Sequence, residues 1–118
     1  MAAPGITVNI RDGIVIVDPS DRKNLCDTED GLPQLVRSLA DEGFRKFVLN
    51  LRRVPYIDST GLGCIARAAL TVAHRDGQLK LLNAGERIRD LLRVTRLASV
   101  FEIFESEDEA IRSFTAHM

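Results

Sequence analysis

The stretch that decides the fold is FVLNLRRVPYIDSTGLGCIARAAL, residues 47–70. It begins with a short apolar run typical of a buried strand and continues with apolar residues at helical spacing. The pattern predicts a strand over 47–51, then a turn, then a helix over 60–75. The helix opens with Gly61 and Gly63, although each glycine costs a helix about 1 kcal/mol relative to alanine. This poor first turn directly follows three polar residues, Asp58, Ser59 and Thr60.

Outside this stretch, strand patterns alternate with helical ones along the chain. Asp12-Gly13 separates two apolar runs and predicts an N-terminal β-hairpin, because this dipeptide favours a two-residue turn. The remaining order is αβαβαβα, which predicts a single α/β domain over residues 1–118 with a mixed, mostly parallel sheet and about four flanking helices. Residues 18–28 are expected to be irregular. The other predicted elements are a helix from residue 32, strands over 79–82 and 100–104, a helix over 86–94, and a last helix opened by a capping box at 106–109.

The position of the polar and glycine residues in this order points to a functional edge. In parallel sheets the functional crevice lies beyond the carboxyl ends of the strands. The predicted turn from Leu51 to Gly63 runs from such an end into a helix. We therefore expect the motif D-S-T-G-L-G, residues 58–63, at this edge, with Ser59 exposed at the start of its helix.

Composition and charge exclude several classes of protein. The chain has 118 residues, of which 45% are apolar, and this is enough for one core. Its 16 basic and 17 acidic residues leave a net charge of −1, so nucleic acid is not an expected partner. No apolar run approaches about 18 residues and the first residues lack the pattern of a leader, so we expect a cytoplasmic protein without membrane insertion.

The cysteines and histidines give no pattern of a metal site. Cys26 and Cys64 stand alone, without the short spacings that zinc ligands show. We expect them to be two separate, reduced thiols that contribute to packing. Only His74 and His117 could join them as ligands, so no metal is expected.

Nucleotide binding and hydrolysis are also disfavoured. The G-x-G of the motif lacks the acid expected about 20 residues further on, where Asn83 stands, and the chain contains no Gly-Lys-Ser/Thr. A nucleophile elbow would need glycine in place of Ile57. His74 would lie roughly 20 Å from Ser59 along one helix, too far for a catalytic pair. The sequence thus predicts neither a cofactor nor an enzyme.

Two explanations remain for the polar helix start. Asp, Ser and Thr are preferred N-caps worth about 1 kcal/mol, so one of the three could serve only to cap the helix. Capping leaves Gly61 and Gly63 unexplained. If the glycines instead keep the helix start bare, another protein can reach the backbone and a hydroxyl. A bulky residue at Gly61 should then weaken partner binding more than folding.

The segment V-P-Y-I-D-S-T-G-L-G, residues 54–63, resembles the signature of the STAS domain family, which includes anti-sigma factor antagonists and domains of sulphate transporters. The similarity extends over residues 44–114. It includes F-V-L-N-L before the motif and G-Q-L-K-L-L-N after the helix. It also includes L-L-R-V-T-R-L-A-S-V-F-E-I-F-E-S-E-D-E-A-I over 91–111. The resemblance implies a small α/β domain, in agreement with the alternation of elements.

The resemblance also implies a partner-switching protein that regulates transcription. In the family, the unmodified antagonist binds an anti-sigma factor, typically a serine protein kinase, and the sigma factor is released. The kinase phosphorylates the hydroxyl directly after the aspartate of the motif, which is Ser59 here, and a serine phosphatase removes the phosphate. The implied partner-binding residues are Asp58, Ser59, Thr60, Gly61, Leu62 and Gly63.

A second class of function stays open, namely a STAS scaffold or transport-accessory module without reversible phosphorylation. One departure from the family pattern bears on the choice of partner. Many antagonists carry a stretch like G-x-L/I-D in the loop after the second strand. Here DPSDRKNLCD, residues 18–27, holds that place, and no glycine follows it before Gly31.

Overall fold

A computed structural model describes residues 5–26 and 31–115, and its sheet has the topology that the alternation predicts. Five strands lie in the order β1-β2-β3-β4-β5, with β1 antiparallel to β2 and the other neighbouring pairs parallel. The strands are β1 (Ile6–Arg11), β2 (Ile14–Pro19), β3 (Lys46–Asn50), β4 (Gln78–Leu82) and β5 (Ile103–Phe104). The α-helices in these residues are α1 (Leu32–Asp41), α2 (Ser59–Ala73), α3 (Glu86–Val94) and α4 (Glu107–Thr115). The predicted fold class, a single α/β domain with a mixed, mostly parallel sheet, is confirmed. His117, which the sequence offered as a possible metal ligand, lies outside the described residues.

The N-terminal hairpin forms at the predicted dipeptide. Asp12 and Gly13 have φ angles of 55° and 78°, the left-handed conformation that a type I′ turn requires at both central residues. Arg11 pairs directly with Ile14 across the turn. Asparagine, aspartate and glycine tolerate this conformation best, which is why the dipeptide Asp12-Gly13 was sufficient to predict the turn.

The inner strands are apolar on both faces because helices cover both sides of the sheet. Val15 and Phe47 belong to the larger core, which α1, α2 and α3 cover. Ile14 and Val48 face the other way, into a smaller core beneath α4. Burial on both faces explains why these strands appear in the sequence as continuous apolar runs rather than alternating ones.

The last strand is shorter than predicted. The pattern over 100–104 suggested a full strand, but only Ile103–Phe104 pairs with β4. The preceding residues form consecutive turns after α3: the Leu97 N–H donates to the Leu92 carbonyl, and the Val100 N–H donates to the Leu97 carbonyl. These turns hold Val100 at the surface, so its apolar side chain does not indicate a strand.

The polar segment after β2 is more ordered than predicted. It contains a single-turn 3-10 helix over Arg22–Leu25, hereafter the 3-10 turn. The Asp21 carboxylate caps the turn by accepting a hydrogen bond of 2.9 Å from the Lys23 N–H. Leu25 is fully buried in the larger core and anchors the turn to the domain.

Cys26 and Cys64 are joined in a disulfide, so the prediction of two separate thiols is wrong. The 3-10 turn packs against α2 and ends next to Cys26. The two Cα atoms lie 5.8 Å apart, within the range of disulfide bonds. The cysteines are 38 residues apart in sequence, and the packing of the turn on the helix alone brings them together.

We expect reduction of this disulfide to lower the free energy of unfolding by about 2–4 kcal/mol, because the bond restricts a long loop in the unfolded chain. Urea unfolding with and without reductant measures the change. The double variant Cys26→Ser/Cys64→Ser is the control and should not respond to reductant. Equal stability of oxidised and reduced wild-type protein would contradict the expectation.

Candidate functional site

The segment that connects β3 to α2 is held firmly at the carboxyl end of the sheet. Leu51, Val54 and Ile57 are buried and anchor it to the larger core. The Asn50 carboxamide oxygen accepts hydrogen bonds from the Arg52 N–H, at 3.0 Å, and from the Asn83 amide nitrogen, at 3.2 Å. The connection therefore presents the start of α2 in a defined position at the predicted edge.

Asp58 alone caps the helix. Its backbone is extended, with φ −100° and ψ −172°, and its carboxylate accepts a hydrogen bond of 2.8 Å from the Gly61 N–H. Ser59 is the first residue of α2, as predicted, and it is exposed together with Thr60. Within the described part of the chain, neither hydroxyl has a hydrogen-bond partner. Capping therefore explains the aspartate and leaves both hydroxyls available to another molecule.

The two glycines of the motif have different environments. Gly63 is exposed, and a Cβ built on it would meet nothing within 4 Å. Gly61 is buried, and a Cβ there would lie 3.1 Å from the Ile57 Cβ. The helix surface is thus open at Gly63. At Gly61, Ile57 packs so close to the helix start that it leaves little room for a side chain. A bulky residue at Gly61 would strain the fold, so the docking test suggested by the sequence belongs at Gly63.

The six motif residues fall into an exposed and a buried group. Asp58, Ser59, Thr60 and Gly63 are exposed at the start of α2. Leu62 is buried with Gly61 and packs into the larger core. Direct contact with a partner is therefore open to the first group, while the second group shapes the helix that carries it.

The 3-10 turn supplies a neighbouring surface that the sequence did not reveal. A pocket of about 300 Å³ separates the turn from the start of α2. The basic side chains of Arg22 and Lys23 are exposed on the turn side. The remaining lining residues are Cys26, Ile57, Asp58, Thr60 and Gly61. Two positive charges thus lie beside the motif, although nothing in their local sequence links them to it.

Tyr56 connects this surface to α3. The guanidinium carbon atoms of Arg22 and Arg87 lie 4.7 and 4.6 Å from the centre of its ring, close enough for cation–π attraction. Two further arginines lie in the segment before the motif: Nη2 of Arg52 is 3.9 Å from Asp18 Oδ2, and Nε of Arg53 is 3.4 Å from Asp18 Oδ1. These exposed ion pairs contribute little to stability.

The described residues offer no arrangement for metal binding and no helix of membrane-spanning type. Among them, no group of three or more His, Cys, Asp or Glu side chains could hold a metal ion. His74 is the C-cap of α2, at the end opposite Ser59. In residues 5–26 and 31–115, every helix is too short or too polar to cross a bilayer.

The chain belongs to the STAS domain family, whose model matches residues 6–110. The BtrV protein of Bordetella bronchiseptica, provisionally named an anti-sigma factor antagonist, is 27% identical over 109 residues, covering 92% of this chain and 93% of that protein. The anti-sigma-B factor antagonist of Staphylococcus aureus is 29% identical over 77 residues, covering 65% of this chain and 71% of that protein. Proteins of this type are regulatory and non-enzymatic.

The fold is also that of a solved antagonist. The phosphorylated form of SpoIIAA, described as a Bacillus cell fate determinant, superposes with a TM-score of 0.71 and 17% identity, covering 92% of this chain and 98% of that one. Its unphosphorylated form gives a TM-score of 0.69, with 93% and 96% coverage. At this identity the similarity establishes the shared architecture.

Asp58→Ala should lower the free energy of unfolding by about 1 kcal/mol, because the Gly61 N–H loses its acceptor. Asp58→Asn keeps a capping oxygen and should lose less. Urea unfolding of the two variants beside wild type measures the difference. Equal losses in both variants would show that the cap does not stabilise the helix start.

The glycine pair gives a second test of the local geometry. Gly63→Ala should stabilise the protein by about 0.5–1 kcal/mol, because it adds a methyl group in open space and improves helix propensity. Gly61→Ala should gain less or lose stability, because its methyl group would press on Ile57. Thermal unfolding of both variants compares them. A larger gain at Gly61 would contradict the packing described here.

Proposed function

We propose that this protein is an anti-sigma factor antagonist that binds an anti-sigma factor with serine kinase activity. Phosphorylation of Ser59 ends the binding and thereby regulates transcription by partner switching. The observation that carries the proposal is the exposed Ser59 hydroxyl, which lies on the first residue of α2 beside an aspartate that already caps the helix. The hydroxyl has no structural task in the described residues, and modification would not break an existing contact.

The comparisons support the proposal at the level of the protein class. Two relatives carry the name of anti-sigma factor antagonist, and one of them is an anti-sigma-B factor antagonist. SpoIIAA, which shares the fold, has been solved in both unphosphorylated and phosphorylated forms. A protein of this architecture thus accommodates a phosphate.

Electrostatics explain how a phosphate could stop binding without unfolding the domain. The group adds a charge of roughly −1.5 to −2 at neutral pH. At a helix N-terminus the dipole favours this charge by about 0.3–1 kcal/mol, so the fold is preserved. A partner that docks on a neutral hydroxyl must instead desolvate or repel the charge. An affinity loss of a hundredfold corresponds to only about 2.7 kcal/mol, which one unpaired interfacial charge can supply.

The remaining parts of the proposed cycle follow from the same chemistry. The kinase transfers the γ-phosphoryl group of ATP to the Ser59 oxygen, ADP leaves as the bond to the β,γ-bridging oxygen breaks, and a base of the kinase takes the hydroxyl proton. A serine phosphatase hydrolyses the ester and restores the binding form. Sigma factors act on RNA polymerase, so the proposed place of action is the cytoplasm.

The phosphorylation test uses an anti-sigma factor of the serine kinase type from the same organism. After incubation with ATP, peptide mass spectrometry should place one phosphate on Ser59. Thr60→Ala is the matched control and should be phosphorylated as well as wild type, whereas Ser59→Ala should not be phosphorylated.

Binding measurements complete the test. Ser59→Ala should bind the kinase with or without ATP, whereas Ser59→Asp should bind about a hundredfold more weakly with nearly unchanged melting temperature. Phosphate on Thr60 would move the site by one residue. Equal binding of all forms, with no phosphate transferred, would overturn the proposal in favour of a STAS scaffold or transport-accessory module.

A further inference from the structure

The disulfide joins the two surfaces that form the candidate binding site. Cys26 follows the 3-10 turn, while Cys64 lies in α2 one residue after the motif. The Cys26 sulfur lies 3.3 Å from the carbonyl oxygen of Thr60, which is the residue that follows Ser59. Cys26 also lines the pocket between the turn and the helix start. These two are the only cysteines in the chain, so the bond has no competing partner within the molecule.

The two sulfurs differ in access. Cys64 is 1% exposed, buried where α2 meets the domain. Cys26 is only half-buried and opens onto the pocket. Thiol–disulfide exchange requires the incoming thiolate to reach one sulfur directly. The geometry therefore directs attack to Cys26 and makes Cys64 the leaving sulfur.

A cation lies beside the leaving sulfur. The Arg67 guanidinium nitrogen is 3.3 Å from the Cys64 sulfur, one helical turn further along α2. Positive charge at this distance stabilises the thiolate that forms when the disulfide opens. A better leaving thiolate makes exchange faster, so this arrangement favours a bond that opens and closes.

We propose that Cys26 and Cys64 form a reversible thiol–disulfide site that controls docking at the motif, with Cys26 as the residue that small thiols modify. A low-molecular-weight thiolate attacks the Cys26 sulfur, a mixed disulfide forms there, and Cys64 leaves as a thiolate. A second thiol then releases the small molecule as its own disulfide, and the protein gains two thiols. Oxidation by a small disulfide runs the same steps in reverse.

The control of docking rests on the function proposed above. In the cytosol, disulfides are uncommon and are usually transient or redox-sensing, so a bond in a cytoplasmic antagonist is expected to cycle. The closed bond ties the end of the 3-10 turn, which carries Arg22 and Lys23, to α2. Opening it leaves the turn anchored by Leu25 but free to move at Cys26, so a partner must order this surface on binding. We expect the reduced form to bind about tenfold more weakly.

The chemical part is tested with glutathione. The variants Cys64→Ser and Cys26→Ser are each checked for folding by circular dichroism and incubated with glutathione disulfide. Mass spectrometry should find a glutathione adduct on Cys26 in the Cys64→Ser variant. It should find little adduct on the buried Cys64 thiol in the Cys26→Ser variant. Acid quenching of wild-type protein during reduction should trap the same Cys26 adduct. Preferential modification of Cys64, or a wild-type bond that millimolar glutathione does not open, would overturn the proposal.

Arg67 provides a check on the leaving group. Arg67→Gln should slow reduction of the disulfide by glutathione severalfold, while Arg75→Gln, just beyond the C-terminal end of α2, should leave the rate unchanged. If both variants are reduced at the same rate as wild type, Arg67 does not assist the departure of the Cys64 thiolate.

The docking part compares oxidised and reduced protein for binding to the anti-sigma kinase. Wild type should lose about tenfold in affinity on reduction, and Cys26→Ser/Cys64→Ser should bind like reduced wild type in either condition. Equal affinity of both wild-type forms would overturn the control of docking. Failure of every form to bind would instead count against the proposed function, since the glutathione experiment reports on the bond independently.

Discussion

The hydrogen bond from the Gly61 N–H to the Asp58 carboxylate determines how the start of α2 is presented. A helix start leaves several N–H groups without partners, and a side chain must satisfy one of them if the end is to be stable. Because Asp58 performs this task from the residue before the helix, the next two hydroxyls are not drawn into the backbone. Ser59 can then be exposed and firmly positioned at the same time.

The sheet provides the second condition for this arrangement. β3 lies in the middle of the five strands, and the segment that leaves it is held by three buried apolar residues and by the amide pair of Asn50 and Asn83. Rigid support beneath an exposed helix start is what a switch by local charge requires. In the switch that we propose, a phosphate would change the surface that a partner meets and leave the core beneath it the same.

Local chemistry was sufficient to predict much of this structure. Asp12-Gly13 specified the hairpin turn, the alternation of patterns specified the parallel sheet, and the polar residues before two glycines located the exposed helix start. Long-range packing was not predictable in this way. The bond between Cys26 and Cys64 and the burial of Leu25 depend on how the 3-10 turn meets α2 and the larger core. The packing of Ile57 at Gly61 is close in sequence, but it depends on the burial of the preceding segment in the larger core. The turns after α3, which shorten the last strand, were missed for another reason: their hydrogen bonds back to Leu92 are local, but the apolar residues among them resemble a strand in the sequence.

The central claim is that a phosphate on Ser59 alters the surface and not the fold, and NMR of isotope-labelled protein tests it most directly. The Gly61 amide signal reports the cap, and the signals of the larger core report the fold. In phosphorylated protein we expect shifts confined to the first turn of α2 and the 3-10 turn, a retained Gly61 cap, and no response to added kinase. Shifts spread through the core, or a response to kinase equal to that of the unphosphorylated protein, would contradict this account.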